Sequence, residues 1–145
     1  MAADDFSGAW EEFFRAVRRA RGRANARPPA DGVSLAQYHL LAPLEAGEGR
    51  TVRALALAAG VAAPTATRML DGLERDGLVT RTPSATDRRC VEVALTAEGR
   101  RAVGVTAAAI ADTRARIAGS LDADEREQAA ALLRRLTAIV EEQLA

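Results

Sequence analysis

A chain of 145 residues with 48% hydrophobic content is globular, long enough for one compact domain with helical extensions and apolar enough to bury a core. A single cysteine, Cys90, and a single histidine, His39, exclude an internal disulfide framework and the usual zinc or iron sites, so neither metal nor cofactor is expected. The 20 basic residues, all Arg, balance 20 acidic ones, but unevenly: six against seven over residues 1–49, nine against six over 50–101, five against seven over 102–145. A neutral chain with a basic middle third still neutralises phosphates locally, so zero net charge does not exclude a nucleic-acid partner.

The N-terminus, MAADDF, is acidic where a signal peptide would be basic, and no apolar run approaches the roughly 18 residues that span a bilayer. A cytoplasmic protein without a membrane partner is expected. Phe6, Trp10, Phe13, Phe14 and Val17 then fall at helical spacing among charged residues, predicting an amphipathic helix to about Arg23, ahead of Pro28 and Pro29.

At VSLAQY (33–38), Ser34 suits a helix cap, Gln37 the returning bond, and Val33 with Tyr38 a hydrophobic staple. This predicts a helix over about 35–46, bent or shortened by Pro43. Thr51 caps a short helix, VRALALAA, that stops at Gly60, and Pro64 suits the first turn of the helix in AAPTATRMLDGLERDG. Two short helices about a tight turn describe a helix-turn-helix or an ordinary helical hairpin. In the first case the exposed face of the second helix presents Pro64, Thr65, Thr67 and Arg68, groups that reach base edges and phosphates in a major groove.

Gly77 ends that helix, and two β-like runs follow, Leu78 to Thr82 and Cys90 to Leu95, with SATDRRC between them. A helix-turn-helix followed by a β-hairpin is a winged helix, which changes the meaning of the charged tip. Arg is the residue that a narrow minor groove attracts, so Arg89 is read as the groove probe and Arg88 as lying nearer the phosphates. Asp87 is expected to hold Arg89 by a charge-assisted bond. Thr96 caps a long helix over 97 to about 119, Gly119 and Ser120 break it, and Asp122 with Glu125 repeats the capping pattern. The last helix carries Leu132, Leu133, Leu136, Ile139, Val140 and Leu144. This stripe and that of the first helix suit either an intersubunit bundle or packing within one chain. The expected architecture is mainly α with a small β wing: an N-terminal dimerisation helix over 1–32, a winged helix-turn-helix domain over 33–100, and C-terminal dimerisation helices over 101–145.

VSLAQYHLLAPL, TVRALALAAGVAAPTATRMLDGLERDGLVTR, the tip TDRRC and VALTAEGRRA, in this order and spacing, resemble the MarR family of bacterial winged-helix regulators over nearly the whole chain. The resemblance implies a homodimer with interleaved terminal helices and double-stranded DNA carrying an inverted repeat as partner. It places Thr65, Thr67 and Arg68 on the major groove, with an Asp87–Arg89 pair orienting a minor-groove arginine. The chain departs from the family pattern in two ways. Ala62 stands where the family often has a capping Ser, and the first helix lacks the reactive cysteine of the family's peroxide sensors, which leaves Cys90 as a small packing residue.

No nucleophile, metal cluster or phosphate-cradling loop accompanies His39, so an enzyme is not expected. The resemblance and the aromatic first helix together suggest a repressor released by a small aromatic or phenolic ligand, held by Trp10, Phe14, Tyr38 and His39. The alternatives are an effector-independent DNA-binding protein and an oxidation sensor built on Cys90.

Overall fold

The computed structural model describes residues 2–144, with side chains from residue 5; Met1 and Ala145, at the outer ends of the expected terminal segments, lie outside the described residues. Helix α1 spans Ala2–Ala26, slightly longer than its apolar stripe because Arg21, Arg23 and Ala24 are good helix formers. Helix α2, Leu35–Leu41, starts as its sequence predicts. Ser34 Oγ accepts from the Gln37 N–H at 3.2 Å and Gln37 Oε1 accepts from the Ser34 N–H at 2.9 Å, a complete capping box. The expected helix to residue 46 is shortened at Pro43, and Ala42–Ala46 continue as a 3-10 turn.

A short strand β1, Arg50–Thr51, leads into α3, Val52–Ala59, which Thr51 caps by accepting from the Ala54 N–H at 3.2 Å. Gly60 ends α3 at φ 67°, a conformation that costs glycine least, and the Val61 N–H returns to the Ala56 carbonyl at 3.0 Å. Helix α4 spans Ala63–Arg75 and closes in the same way: the Gly77 N–H donates to the Glu74 carbonyl and the Leu78 N–H to that of Leu73. This Schellman ending takes the Leu78 N–H, so the next strand, β2, begins one residue later than its apolar pattern suggests, at Val79–Pro83. Strand β3, Val91–Leu95, pairs with it antiparallel from Val79↔Leu95 to Pro83↔Val91. The hairpin is one side of a three-stranded sheet in the order β1-β3-β2, with Arg50 opposite Val93. Two residues are too few for an alternating pattern, and β1 is therefore invisible in the sequence.

Leu55, Leu70, Leu73, Val79, Val93 and Val103 lie together in the core, where each leucine contributes about 1.5–3 kcal/mol by leaving water. Residues 1–108 form one compact unit and 109–145 a second. Helix α5 spans Ala97–Gly119 and α6 spans Ala123–Leu144. In the first unit, buried Thr106 exchanges two hydrogen bonds with Val33, donating to its carbonyl at 2.8 Å and accepting from its N–H at 2.9 Å. In the second, Asp122 and Glu125 form the expected reciprocal cap of α6, and Arg126 donates to the Ala118 carbonyl in the last turn of α5 and to the Leu121 carbonyl beyond it. Leu132, Leu133, Ile139, Val140 and Leu144 are exposed, Leu136 is half-buried, and no described residue of α6 is buried.

The start of α5 is fixed to the end of α4. Thr96 Oγ1 donates to the Gly77 carbonyl at 2.6 Å and accepts from the Gly99 N–H at 3.0 Å, while the Thr96 N–H donates to the Leu78 carbonyl at 3.0 Å. A Cβ on Gly99 would stand 1.8 Å from the Leu78 carbonyl oxygen. Gly99→Ala is therefore expected to destabilise the protein by about 3 kcal/mol in urea denaturation. By contrast Gly72→Ala, whose added Cβ meets only the Arg75 side chain at 3.9 Å, should stabilise it by about 0.5–1 kcal/mol.

Candidate nucleic-acid interface

Helix α4 begins without a side-chain cap, as its sequence implies. Ala62 occupies the cap position at φ −68°, ψ 147° and offers no oxygen, while Pro64 lies in the first turn, where its missing N–H costs nothing. Ala66, Leu70 and Leu73 turn into the core, leaving Pro64, Thr67 and Arg68 exposed on the opposite side with Thr65 half-buried beside them. The Thr67 hydroxyl donates to the Ala63 carbonyl at 3.0 Å, so its proton is used within the helix and its oxygen remains free to accept. The Arg68 side chain makes no hydrogen bond or ion pair among the described residues and is exposed.

The wing is closed at its base by the Ser84 N–H donating to the Cys90 carbonyl at 2.8 Å, and at its tip by the Cys90 N–H donating to the Asp87 carbonyl at 3.0 Å. Beneath the tip, Ser84 is 5% exposed; its hydroxyl donates to Glu92 Oε1 at 3.0 Å and shares a 3.0 Å bond with the Thr86 hydroxyl. The same oxygen accepts from the Thr86 N–H at 3.3 Å. A polar side chain gathered under a loop in this way holds the loop's backbone in one shape. Neither Ser84 nor Glu92 stands out in the sequence, because their contact joins opposite strands across eight residues.

The Asp87 carboxylate differs from its expected role. It accepts from the backbone N–H of Arg89 at 3.0 Å, and from the Cys90 thiol at 3.8 Å, rather than from the Arg89 guanidinium. An acid two residues before an N–H closes an Asx turn with a short side chain, whereas a guanidinium would have to fold back over the turn. Asp87 thus shapes the tip, and both Arg88 and Arg89 are exposed. Cys90, expected to pack, is exposed as well.

Behind this surface, Arg81 on β2 forms ion pairs with Asp71 and Glu74 of α4, Nη2 to Asp71 and Nε to Glu74 at 3.2 Å. The Asp71 hydrogen bond is the main reason that the Arg81 pKa is raised further above its ordinary value. Strand alternation places Arg81 on the same face as buried Val79, and a charge on an inward face calls for a partner; that was the available signal.

The four residues predicted to hold a ligand form two groups. On α1, Trp10 meets Phe14 at a tilt with a 4.5 Å ring separation, and on α2, Tyr38 meets His39 edge-on at 5.6 Å. No ring contact joins the groups among the described residues. Partial burial, and secondarily the charge of Arg21, hold His39 below the usual histidine range. At 1.5 Å per residue, Arg21 lies about 10 Å along α1 from Phe14. An open groove on α1 is lined by Arg19, Gly22, Arg23, Ala26 and Arg27, none of them among the four.

Residues 33–91 match the sequence model of the MarR family. Among solved structures, the chain is similar to MepR of Staphylococcus aureus in a complex with DNA, at 25% identity and TM-score 0.77 over 90% of this chain and 97% of that one. It is similar to YusO of Bacillus subtilis at 27% identity and TM-score 0.69, covering 94% and 97% of the two chains. A further MarR family transcription regulator matches in fold, with TM-score 0.85 at 19% identity over 97% of this chain and 93% of the other. Residues 33–91 thus carry the sequence pattern of the MarR family, on a winged-helix fold shared with these regulators. Proteins of this pattern and fold include a transcription regulator seen in complex with DNA.

Within this winged-helix domain the uncapped start of α4 is a local weakness. Ala62→Ser restores an acceptor for the free N–H groups of the first turn and is expected to raise stability by about 1 kcal/mol, seen as a higher Tm with unchanged far-UV circular dichroism.

Proposed function

We propose that the protein is a homodimeric repressor that binds an inverted repeat and is released by a small aromatic ligand. The observation that carries the DNA reading is the pairing of two exposed cationic elements on one winged domain: Arg68 on α4 and Arg88 with Arg89 at the wing tip. Pro64, Thr65, Thr67 and Arg68 enter the major groove, Arg89 enters the flanking minor groove, and Arg88 lies toward the phosphates. Asp87 acts by holding the turn that presents them. The complex of S. aureus MepR with DNA supports the same use of this fold.

Dimerisation is supported by the exposed apolar side chains on each terminal helix: Phe6 and Phe13 on α1, both 56% exposed, and Leu132 and Leu133 on α6, at 55% and 57%. A symmetric dimer reads two half-sites about one helical turn, roughly 10 base pairs, apart. Light scattering should return twice the 15.3 kDa chain mass at micromolar concentration, and a monomer of full helix content overturns this part. Leu136→Asp is expected to weaken dimerisation and DNA binding together. Arg89→Ala and Arg68→Ala should each cost about 1–3 kcal/mol of DNA affinity without changing the circular dichroism, the latter with relaxed sequence preference. Unaltered binding by Arg89→Ala at moderate salt would make the wing tip a solvated turn.

The ligand reading rests on the aromatic pairs Trp10 with Phe14 and Tyr38 with His39, whose rings suit the apolar face of an aromatic carboxylate. Aromatic acids titrated against Trp10 fluorescence, with and without DNA, should show coupling of about 1–3 kcal/mol, equal in both directions. If only peroxide weakens DNA binding, and does so through Cys90, the exposed thiol is the sensor instead; if neither agent acts, the protein binds DNA constitutively.

A further inference from the structure

The DNA-reading surface consists of two separate pieces, α4 and the wing, whose tips must enter adjacent grooves of one duplex. The chain between them is short. Asp76, Gly77 and Leu78 carry it from α4 into β2, with Gly77 at φ 76°, and the wing then projects through five residues of strand to Pro83. A short hinge fixes where the strand begins but not its angle to the helix, and a small rotation there is magnified at the tip. At 3.3 Å per residue the strand from Val79 to Pro83 alone makes a lever of about 13 Å, with the loop projecting beyond it.

Beyond the core shared by Leu70, Leu73, Val79 and Val93, one charged side chain spans the angle. Arg81 stands two residues into β2, opposite buried Val93, with only 20% of its side chain exposed. Its guanidinium reaches back to α4 by two different nitrogens, Nη2 to Asp71 and Nε to Glu74. Asp71 and Glu74 lie three residues apart, nearly one turn, so the planar fork meets the helix at two points along its axis. A single ion pair is a ball joint; two pairs from one rigid plane define a direction. The same contact neutralises two carboxylates at the C-terminal end of α4, where the helix dipole is also negative and a phosphate would otherwise be repelled.

We propose that Arg81 is a specificity-determining positioning residue of the DNA-reading surface: by bridging Asp71 and Glu74 it sets the angle between α4 and the wing, and so the offset between major-groove and minor-groove readout. The proposal rests on the DNA-binding reading above. Arg81 points away from the exposed tips, toward its two acids, and acts through the elements it joins rather than by touching DNA. Lysine in its place would keep the charge but not the fork, which separates the angular role from the electrostatic one.

The test uses the full-length protein and a duplex library randomised over about 30 base pairs, enough for two half-sites and their flanks. Selection with wild type is expected to enrich an inverted repeat whose half-sites lie at a fixed offset from A·T-rich flanks. With Arg81→Gln and with Arg81→Lys, the half-site should be retained while the fixed offset of the flank is lost. Affinity for the wild-type sequence should fall on the order of 10-fold for Arg81→Gln, the size of one charge-assisted hydrogen bond, and less for Arg81→Lys. Loss of stability alone would lower affinity for every sequence and leave the offset intact, so an unchanged offset overturns the proposal. The salt dependence of binding should keep its wild-type slope; a slope lower by about one makes Arg81 a phosphate contact and also overturns it. Residual dipolar couplings on the DNA-free protein give an arm independent of any operator. The orientation of the β2–β3 amides relative to those of α4 should shift or average in Arg81→Gln, and identical couplings overturn the proposal. If wild type enriches no repeat at all, it is the DNA-binding reading that fails, and the couplings still decide whether Arg81 sets the angle.

Discussion

The carbonyl groups of Gly77 and Leu78 are the point on which the winged domain depends. Three elements meet there. Helix α4 ends by giving the Leu73 carbonyl to the Leu78 N–H, strand β2 begins at the next residue, and Thr96 ties the start of α5 to both carbonyls with its hydroxyl and its N–H. Gly99 lies against the Leu78 carbonyl so closely that no side chain fits between them. Polar backbone groups that would otherwise be left without partners at two helix ends satisfy each other, which makes the junction both compact and costly to open. The end of α4, the residue at which β2 begins and the first turn of α5 therefore hold one another in place, while the direction of the strand beyond is left to other contacts.

This rigidity bears on how a ligand could act. A change that displaces the first turn of α5 carries α4 with it, because the hydrogen bonds at Thr96 and the contact at Gly99 allow little slack between them. The wing has more freedom, held to α4 by side chains rather than by backbone. Its shape is in turn set from inside, by Ser84 under the loop and by Asp87 at the tip, so that Arg88 and Arg89 are presented on a preformed turn. Preformed presentation matters for binding, since ordering two long side chains and their loop on contact would subtract from affinity.

Much of this architecture was legible in the sequence, and the parts that were not share a physical reason. The caps at Ser34, Thr51 and Asp122, the stops at Gly60 and Gly77, and the disruption at Pro43 are all decided within four residues, and local pattern finds them. The strand β1, the Ser84–Glu92 bond and the Arg81 bridge are decided by which residues meet across strands or between a strand and a helix. Their partners lie 7 to 10 residues away for the bridge and more than 40 for Arg50 and Val93. Asp87 failed differently: its sequence position suggested a charge partner, but the nearest donor was its neighbour's backbone. Of the surface expected to face DNA, Pro64, Thr67, Arg68, Arg88 and Arg89 are exposed as the pattern implied, with Thr65 only half so, while the four expected ligand positions form one ring pair on α1 and another on α2.

The all-arginine composition, together with the setting of His39, gives the protein a nearly constant electrostatic face. A guanidinium does not lose its proton in any ordinary buffer, and histidine is the side chain whose ordinary range falls between about pH 5 and 8. The sole histidine is held toward its neutral form by partial burial and by Arg21, so protonation is pushed to more acidic conditions than usual. Because its folded pKa is depressed, the neutral form is the one that folding favours, and any stability linked to it is lost only as acidity rises through and below the ordinary histidine range. Across mild swings in acidity the charge on the exposed arginines of α4 and the wing tip stays the same. The molecule is thus buffered against one of the commonest fluctuations in a cell, which leaves its response free to be governed by other chemistry.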